Sequence, residues 1–296
     1  MTSGLLLVDK PIGFTSHDVV AKVRKILGTK KVGHAGTLDP MATGLLVLGI
    51  GSATKLLTYL VGLDKTYTAT ISLGSSTITD DSEGEVLTLA EPDHLARITE
   101  ESISSGIKKL TGTITQIPSS VSAKKVAGVR AYDLVRAGVA VDLKANEVVI
   151  EKFEITAPVR FTEKSIEVDV EVSCSSGTYI RALARDLGAD LGVGGHLTAL
   201  RRIRVGAFSV ESAQQIENLD AASAMVITAS DAVKQFMKFI QIDELDATKL
   251  RNGIPLKQKL DGIAASICGE DLVAIVEPKG ENLVKSVVVF PKESDD

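Results

Sequence analysis

Residues 165–173 form the segment that most restricts what this chain can fold into. In it, aliphatic side chains alternate strictly with acidic ones: Ile166, Val168, Val170 and Val172 against Glu167, Asp169 and Glu171. Because successive side chains of a strand point to opposite faces, this alternation predicts a strand with one buried and one solvated face. Such half-buried strands are typical of antiparallel sheets. We therefore expect a sheet to lie at the centre of the fold.

Other elements are predicted from apolar runs, caps and turn residues. Further strands are expected at 5–8, 45–50, 67–73, 147–155, 272–276 and 284–290. Helices are expected from an N-cap at Ser16 to about Leu27, at 52–60 and 100–110, after 175–178, and at 212–218, 221–236 and 246–251. These elements alone do not fix the order of the strands.

Two segments differ in character from the rest of the chain. Residues 113–145 are extended and polar at first, then carry Lys124 and Lys125, then a short helix predicted at 131–137, which indicates an inserted arm. Residues 237–296 consist mainly of short strands and are predicted to form a small, mostly β C-terminal domain after a larger domain at 1–236.

Composition excludes several classes of protein. No run of eighteen apolar residues exists, and the apolar stretch near the N-terminus spans about five residues without a basic segment before it, so neither a membrane span nor a signal peptide is expected. The two cysteines, Cys174 and Cys268, are far apart, which favours a reducing, cytoplasmic environment. The four histidines lack metal-ligand spacing, so no metal and no cofactor is expected.

Charge is unevenly distributed along a chain whose net charge is −5. Residues 1–36 carry six basic and two acidic side chains, and residues 108–144 carry seven and two, whereas residues 80–101 carry eight acids and one arginine. This asymmetry is compatible with a basic face that binds phosphates, and equally with scattered solvated lysines.

The segment Val32-Gly-His34-Ala-Gly-Thr-Leu-Asp39-Pro-Met-Ala-Thr-Gly44 is the densest candidate site. Asp before Pro is also an ordinary helix cap, but the order of residues suits a carboxylate displayed on a loop. The glycine pairs elsewhere do not match a dinucleotide or phosphate loop. The segment resembles the GxLDP motif of the TruB family of pseudouridine synthases. Asp9-Lys10-Pro11 with Gly13 and Ser16 is similar to that family's lysine–proline motif.

Three further stretches resemble motifs of the same family, in the same order. They are Lys65-Thr-Tyr67 with Thr79-Asp80-Asp81-x-x-Gly84, then Cys174-Ser-Ser-Gly177-Thr-Tyr179-Ile-Arg181 with Asp186-Leu-Gly188, then Gly195-His196 with Leu200-Arg201-Arg202. The likeness covers about residues 4–210. The arm departs from the common pattern, since Val121 stands where many relatives have a tyrosine.

The resemblance implies an α+β pseudouridine synthase fold with a mixed, largely antiparallel sheet, an inserted RNA-binding arm and a small PUA-like C-terminal domain. It implies isomerisation of uridine 55 in the tRNA T loop, without a cofactor, by a monomer that needs neither guide RNA nor a membrane. Asp39 would be the catalytic carboxylate, either attacking the sugar or removing a 2′ proton, and Arg181 would pair with it. Substrate-binding roles are implied for Lys10, His34, Tyr67, Lys124, Tyr179 and Leu200.

Two other classes of function stay open on the residues alone. One is an RNA-binding protein that has kept the fold without catalysis, against which the set Asp39, Tyr67 and Arg181 counts. The other is the catalytic subunit of an RNA-guided particle. Such subunits tend to have lysine-rich extensions, whereas this chain ends in Glu293-Ser-Asp-Asp.

Overall fold

The computed structural model describes residues 3–119, 125–126, 129–130 and 144–292, with the backbone alone at 125–126 and 129–130. The strands before residue 119 are β1 (Gly4–Lys10), β2 (Val32–Ala35), β3 (Thr43–Ile50), β4 (Lys65–Leu73), β5 (Ser75–Thr77), β6 (Val86–Leu89) and β7 (Gly112–Gln116). The later strands are β8 (Lys125–Val126), β9 (Val129–Arg130), β10 (Asn146–Ile155), β11 (Arg160–Phe161), β12 (Ile166–Cys174), β13 (Gly195–Val205), β14 (Phe208–Ser209), β15 (Gln214–Gln215), β16 (Val226–Thr228), β17 (Phe239–Gln241), β18 (Leu256–Lys257), β19 (Ala264–Cys268), β20 (Asp271–Pro278) and β21 (Leu283–Val289).

The α-helices are α1 (Ser16–Ile26), α2 (Leu57–Val61), α3 (Pro92–Leu95), α4 (Glu100–Lys109), α5 (Ile180–Asp190), α6 (Ala229–Lys234) and α7 (Glu244–Arg251). Short 3₁₀ segments occupy Gly51–Leu56, Val210–Ser212 and Ile216–Asn218. Across the described ranges, none of the helices is both long and apolar enough to cross a membrane.

The chain forms two compact units. The middle unit comprises Asp39–Gly44 and Gly62–Val205, and the terminal unit comprises Met1–Leu38, Leu45–Val61 and Gly206–Asp296. Strand β3 therefore begins in the middle unit and ends in the terminal unit. The division into a catalytic domain at 1–236, with an arm at 113–145, and an RNA-binding domain at 237–296 stays a prediction.

The sheet of the middle unit confirms the mixed, largely antiparallel arrangement. Its strands run in the order β13, β4, β12, β10 and β7, and all neighbours are antiparallel. The first two residues of β3 pair with β13 in parallel, Thr43 with Arg201 and Gly44 with Arg202. The alternating segment of the sequence is β12, and its aliphatic side chains are buried as expected.

Helix α5 lies close against β13 because glycines form the contact. A Cβ added to Gly188 would be 2.2 Å from backbone atoms of both Gly194 and Gly195, so no larger residue fits. On its other side α5 meets α4, where a Cβ on Gly106 would be 2.6 Å from the side chain of Leu187. The helix that carries Arg181 is thus fixed to the sheet by close backbone packing.

In the terminal unit, α1 packs on β1 and β3 through an aliphatic core that includes Leu6, Val23 and Leu48. The cap predicted for α1 was wrong by one residue. Thr15 is the N-cap: its hydroxyl accepts from the amide of Asp18 at 3.1 Å, and Asp18 accepts in return from the Thr15 amide at 2.9 Å. This reciprocal pair satisfies two amides at once, which a cap at Ser16 could not do here.

The C-terminal part of the terminal unit is a five-stranded sheet in the order β17, β19, β20, β21 and β18. Its apolar face packs on the 3₁₀ turn at Gly51–Leu56 and on α6, through a cluster that includes Phe290. This confirms a mostly β C-terminal region. The helix predicted at 221–236 was wrong in its first half, because 226–228 form strand β16, which pairs with β1, and the helix begins only at Ala229.

Candidate active site

Asp39 stands on a tight loop at the start of β3. The amide of Ala42 donates to the Asp39 carbonyl at 3.1 Å, which turns the chain into the strand. Gly44 completes the turn with φ 99°, a conformation that L side chains rarely adopt. A Cβ at Gly44 would also lie 2.2 Å from the carbonyl oxygen of Arg202. The loop therefore requires glycine there, and it leaves the Asp39 side chain 35 % exposed at the rim of the unit.

Arg181 occupies the first turn of α5 and holds Asp39 directly. Its Nη2 lies 3.0 Å from Asp39 Oδ2, and its Nη1 donates to the Thr79 carbonyl at 2.9 Å and to Asp81 Oδ2 at 3.2 Å. The guanidinium is buried, with 5 % of its side chain exposed. One buried cation thus joins two carboxylates, and the planar fork of arginine suits this double contact.

Asp81 is a member of the site that sequence reasoning missed. The sequence alone places it in the Thr79–Gly84 stretch and indicates no role for it. Its carboxylate is buried, and its Oδ1 accepts from the Thr79 hydroxyl at 2.5 Å and from the Glu83 amide at 3.1 Å. These contacts orient Asp81 towards Arg181. The sequence does show two adjacent acids, Asp80 and Asp81, in a predicted turn. Because one arginine can bind two carboxylates, either acid was a candidate second partner for Arg181.

Tyr67 is buried on β4, opposite Arg202 of β13. Burial raises the pKa of the Tyr67 phenol, the charge and hydrogen bond of Arg202 oppose that rise, and the negative charge of Asp39 adds to it. Tyr67 is therefore within electrostatic reach of Asp39. The structure brings together the three residues Asp39, Tyr67 and Arg181 on which the functional prediction depends.

Lys65 and Cys174 lie next to this group as directly paired residues of β4 and β12. Burial, and secondly the positive charge of Arg202, lower the pKa of Lys65 to about 8. Burial raises the pKa of the Cys174 thiol to about 11. The Lys65 ammonium donates to the carbonyl of Leu63. Burial thus makes the positive charge of Lys65 costly at this position.

Replacing Lys65 by methionine tests this cost. The pKa of Lys65 in the fold, about 8, is below its ordinary 10.5. Between these values the unfolded chain binds more protons, so the contribution of Lys65 to stability rises with pH across that window. We expect the free energy of unfolding of the wild type, relative to Lys65→Met, to increase by about 2 kcal/mol from pH 7.5 to pH 9.5.

Urea unfolding of both proteins at the two pH values measures this difference. The same pair of measurements on Lys109→Met, which removes a solvent-exposed lysine, corrects for the loss of a lysine in general. Parallel pH profiles for the wild type and Lys65→Met would contradict the burial argument.

Tyr179 and Leu200, predicted as pocket walls, both belong to the middle unit. Tyr179 is the residue before α5, where its amide donates to Gln116 Oε1 at 2.9 Å and its carbonyl accepts from Gln116 Nε2 at 3.1 Å. Leu200 is buried on β13 and paired with Ala69 of β4. Gln116 thereby takes the place of a side-chain cap at the start of the helix that carries Arg181.

Lys10 and His34 belong to the terminal unit. Lys10 is fully buried, and its ammonium donates to the carbonyls of Pro11 at 3.0 Å and Phe14 at 2.6 Å, which holds the turn after β1. His34, on β2, meets the ring of His17 edge-on, with centroids 5.6 Å apart. The contacts described for Lys10 are thus structural ones.

Ser16 has a use that the cap prediction overlooked. Its hydroxyl accepts from the amide of Leu38 at 2.9 Å and donates to the Leu38 carbonyl at 3.2 Å. Leu38 is the residue that precedes Asp39, so Ser16 fixes the chain immediately before Asp39. Lys124, the remaining predicted contact, lies outside the described residues. Among the described residues, no group of three or more His, Cys, Asp or Glu is arranged to hold a metal ion.

Solved structures share this architecture. A Cbf5–Nop10–Gar1 complex aligns with a TM-score of 0.71 at 24 % identity, covering 97 % of this chain and 85 % of that one. An archaeal box H/ACA sRNP Nop10–Cbf5 complex gives 0.69 at 23 % identity, covering 98 % and 87 %. The fold is that of a pseudouridine synthase.

Sequence comparison narrows this class to one family. A profile of the TruB family pseudouridylate synthase N-terminal domain matches residues 24–180, and one of the tRNA pseudouridylate synthase B C-terminal domain matches residues 181–247. The chain is 51 % identical to tRNA pseudouridine synthase B of Leifsonia xyli subsp. xyli over 98 % of its length and 97 % of that protein. It is 49 % identical to the Arthrobacter sp. protein of the same name, over 100 % and 99 %. The chain belongs to the TruB family of pseudouridylate synthases, which are isomerases.

Proposed function

We propose that this protein converts uridine 55 in the T loop of tRNA to pseudouridine, with Asp39 as the catalytic carboxylate and without a cofactor. The observation that carries the proposal is the contact of Arg181 with Asp39, made by a buried guanidinium that also holds Asp81. A guanidinium next to a carboxylate favours its ionised form, which is the form that the reaction needs.

The chemistry requires one carboxylate and no water. The C1′–N1 bond breaks, the uracil turns, C5 bonds to C1′, and the C5 proton is lost while N1 gains one. Substrate and product have the same atoms and the same oxidation state, so the reaction needs no redox group. Glycosidases use a second carboxylate to activate water, and hydrolysis here would leave an abasic site. Of the two carboxylates that Arg181 holds, Asp81 is buried and Asp39 alone is partly exposed, and one such carboxylate with buried Tyr67 suits isomerisation better.

Two routes are open to Asp39. In the first, its oxygen bonds to C1′ as the C1′–N1 bond breaks, and it leaves when C5 attacks. In the second, it removes the C2′ proton, a C1′–C2′ double bond forms as the base departs, and the proton returns to C2′ when C5 adds. Both routes need an ionised Asp39, and in both the C5 proton is released.

Recognition of the RNA would use the other residues that the family resemblance implies. The target base must leave the loop, at a cost that binding energy offsets. Tyr67 would stack on the uracil, Tyr179 and Leu200 would line the pocket, and His34 would fill the vacated space. Lys10, in the lysine–proline motif, would hold the turn after β1 in the conformation that binds the RNA. Lys124 on the arm would contact phosphates of the T arm.

Tritium release tests the function directly. Purified protein without any guide RNA is mixed with unmodified tRNA that carries tritium at C5 of its uridines. We expect one equivalent of tritium per tRNA, and none from a tRNA with cytidine at position 55, because only the uridine there loses its C5 proton.

The substrate control separates the rival functions. A transcript with other T-loop uridines changed to cytidine, but uridine 55 kept, should still release tritium. No release from wild-type protein would favour an RNA-binding protein or a guided subunit. Release that persists without uridine 55 would contradict the assignment of the site.

A further inference from the structure

Residues 79–81 form a turn that helix α5 holds at two points. Arg181 binds the Thr79 carbonyl and Asp81, and Arg185 Nη1 lies 3.2 Å from Asp80 Oδ2. Arg185 is four positions after Arg181, so the two arginines project from the same side of the helix, one turn apart. The adjacent acids Asp80 and Asp81 thus contact successive arginines of one helix.

The backbone of Asp80 makes this double contact possible. Its φ is 59°, the one positive value for a residue other than glycine among those the structure describes. The left-handed conformation is disfavoured for most residues and tolerated by Asp and Asn. The Asp80 carbonyl also accepts from the Leu197 amide of β13 at 3.0 Å. A strained residue held from both sides indicates that its conformation has a use.

Arg185 also reaches the beginning of the arm. Its Nη2 donates to the Ile117 carbonyl at 2.8 Å, and its Nε donates to Asp186 Oδ1 at 2.9 Å. Burial raises the pKa of the Asp80 carboxyl, and the positive charges of Arg185 and Arg181 oppose that rise. Gln116 and Ile117, in the first part of the predicted arm, therefore contact the chain on both sides of Arg181, Gln116 at Tyr179 and Ile117 at Arg185.

We propose that Asp80 and Arg185 form a positioning pair for Arg181: they fix the turn whose Thr79 carbonyl and Asp81 carboxylate orient the guanidinium on Asp39. This inference rests on the proposed role of Asp39. Neither residue contacts Asp39 in the described structure, so both act through Arg181. A small displacement of Arg181 would misplace the carboxylate, and misplacement of about 1 Å can reduce a rate about 100-fold.

Asp80→Asn and Arg185→Gln test the pair with little change of shape. Asparagine tolerates the left-handed backbone, so Asp80→Asn removes the charge and leaves the turn in place. We expect the single-turnover rate of tritium release to fall by about 10- to 100-fold in each variant, while the dissociation constant for tRNA changes less than about twofold. Arg185→Lys should recover part of the rate. The double variant should be no slower than Arg185→Gln, because the two residues act as one unit.

Matched controls come from ion pairs that do not touch the turn. Asp190→Asn breaks the exposed pair of Asp190 with Lys109 on the same helix, and Arg160→Gln breaks the exposed pair of Arg160 with Asp169. Both should keep the wild-type rate. Circular dichroism and thermal unfolding show whether each variant is folded at the assay temperature. If Arg185→Gln is unfolded, the rate of Asp80→Asn alone tests the proposal.

Three outcomes would overturn the positioning role. They are a wild-type rate in folded Asp80→Asn, a loss confined to tRNA affinity, or additive losses in the double variant. These outcomes differ from failure of the proposed function, in which the wild-type protein itself would release no tritium.

Discussion

Asp39→Asn should abolish tritium release, with a loss of about 10⁴-fold or more, while the protein still binds tRNA within about threefold of the wild-type affinity. The amide has the shape of the carboxylate and can still accept a hydrogen bond from Arg181. It has no negative charge with which to attack C1′ or remove the C2′ proton. Single-turnover release and filter binding on the same preparation measure the two quantities.

The controls for Asp39→Asn are structural and chemical. Asp39 is partly exposed, and Arg181 keeps Asp81 and the Thr79 carbonyl, so the thermal unfolding of the variant should match the wild type closely. Asp93→Asn, which removes an exposed carboxylate from α3, should leave the rate unchanged. If Asp39→Asn kept more than about a tenth of the wild-type rate, Asp39 would not be the catalytic carboxylate.

The sequence pattern predicted strands that are apolar runs, such as β1 and β3, and strands that alternate strictly, such as β12. β12 shows strict alternation, and its aliphatic residues are indeed buried. β13 was not predicted as a strand, although it has eleven residues and pairs with both β3 and β4. Its sequence includes three arginines, and Arg202 among them is buried. A buried charge disrupts the apolar pattern that identifies a strand, and such charges are typical of functional sites.

The missed strand β16 shows a different limit. The run Ala221–Ser230 contains good helix formers, which favoured a helix from 221. Residues 226–228 instead pair with β1, more than 200 residues earlier in the chain. Local propensity is a weak preference that long-range pairing overrides, and no local pattern reveals a partner at that distance.

The site residues that belong to recognisable motifs were predictable, whereas those brought together only by the fold were not. Asp39 and Arg181 followed from resemblance, and the structure brings them within 3.0 Å. Asp81 did not, because two adjacent acids look like a solvated turn until one of them is seen buried against an arginine 100 residues away. Ser16 was misread for the same reason, since its partner Leu38 is 22 residues further along the chain.

Arg181→Met should lose both activity and stability. Without the guanidinium, Asp81 is a buried carboxylate with no cation, which costs about 3 to 5 kcal/mol in the free energy of unfolding. Asp39 loses its ion pair with Arg181, so we expect the rate to fall by about 100-fold or more. Urea unfolding and single-turnover tritium release measure the two losses, and Arg160→Met is the matched exposed control.

Adding Asp81→Asn to Arg181→Met separates the two losses. The second change removes the buried charge that Arg181 neutralised, so most of the lost stability should return. The rate should not return, because Asp39 still lacks the Arg181 guanidinium, which favours its ionised form and fixes its orientation. If the double variant recovered both stability and rate, Arg181 would serve only to neutralise Asp81, and the contact with Asp39 would have no part in catalysis.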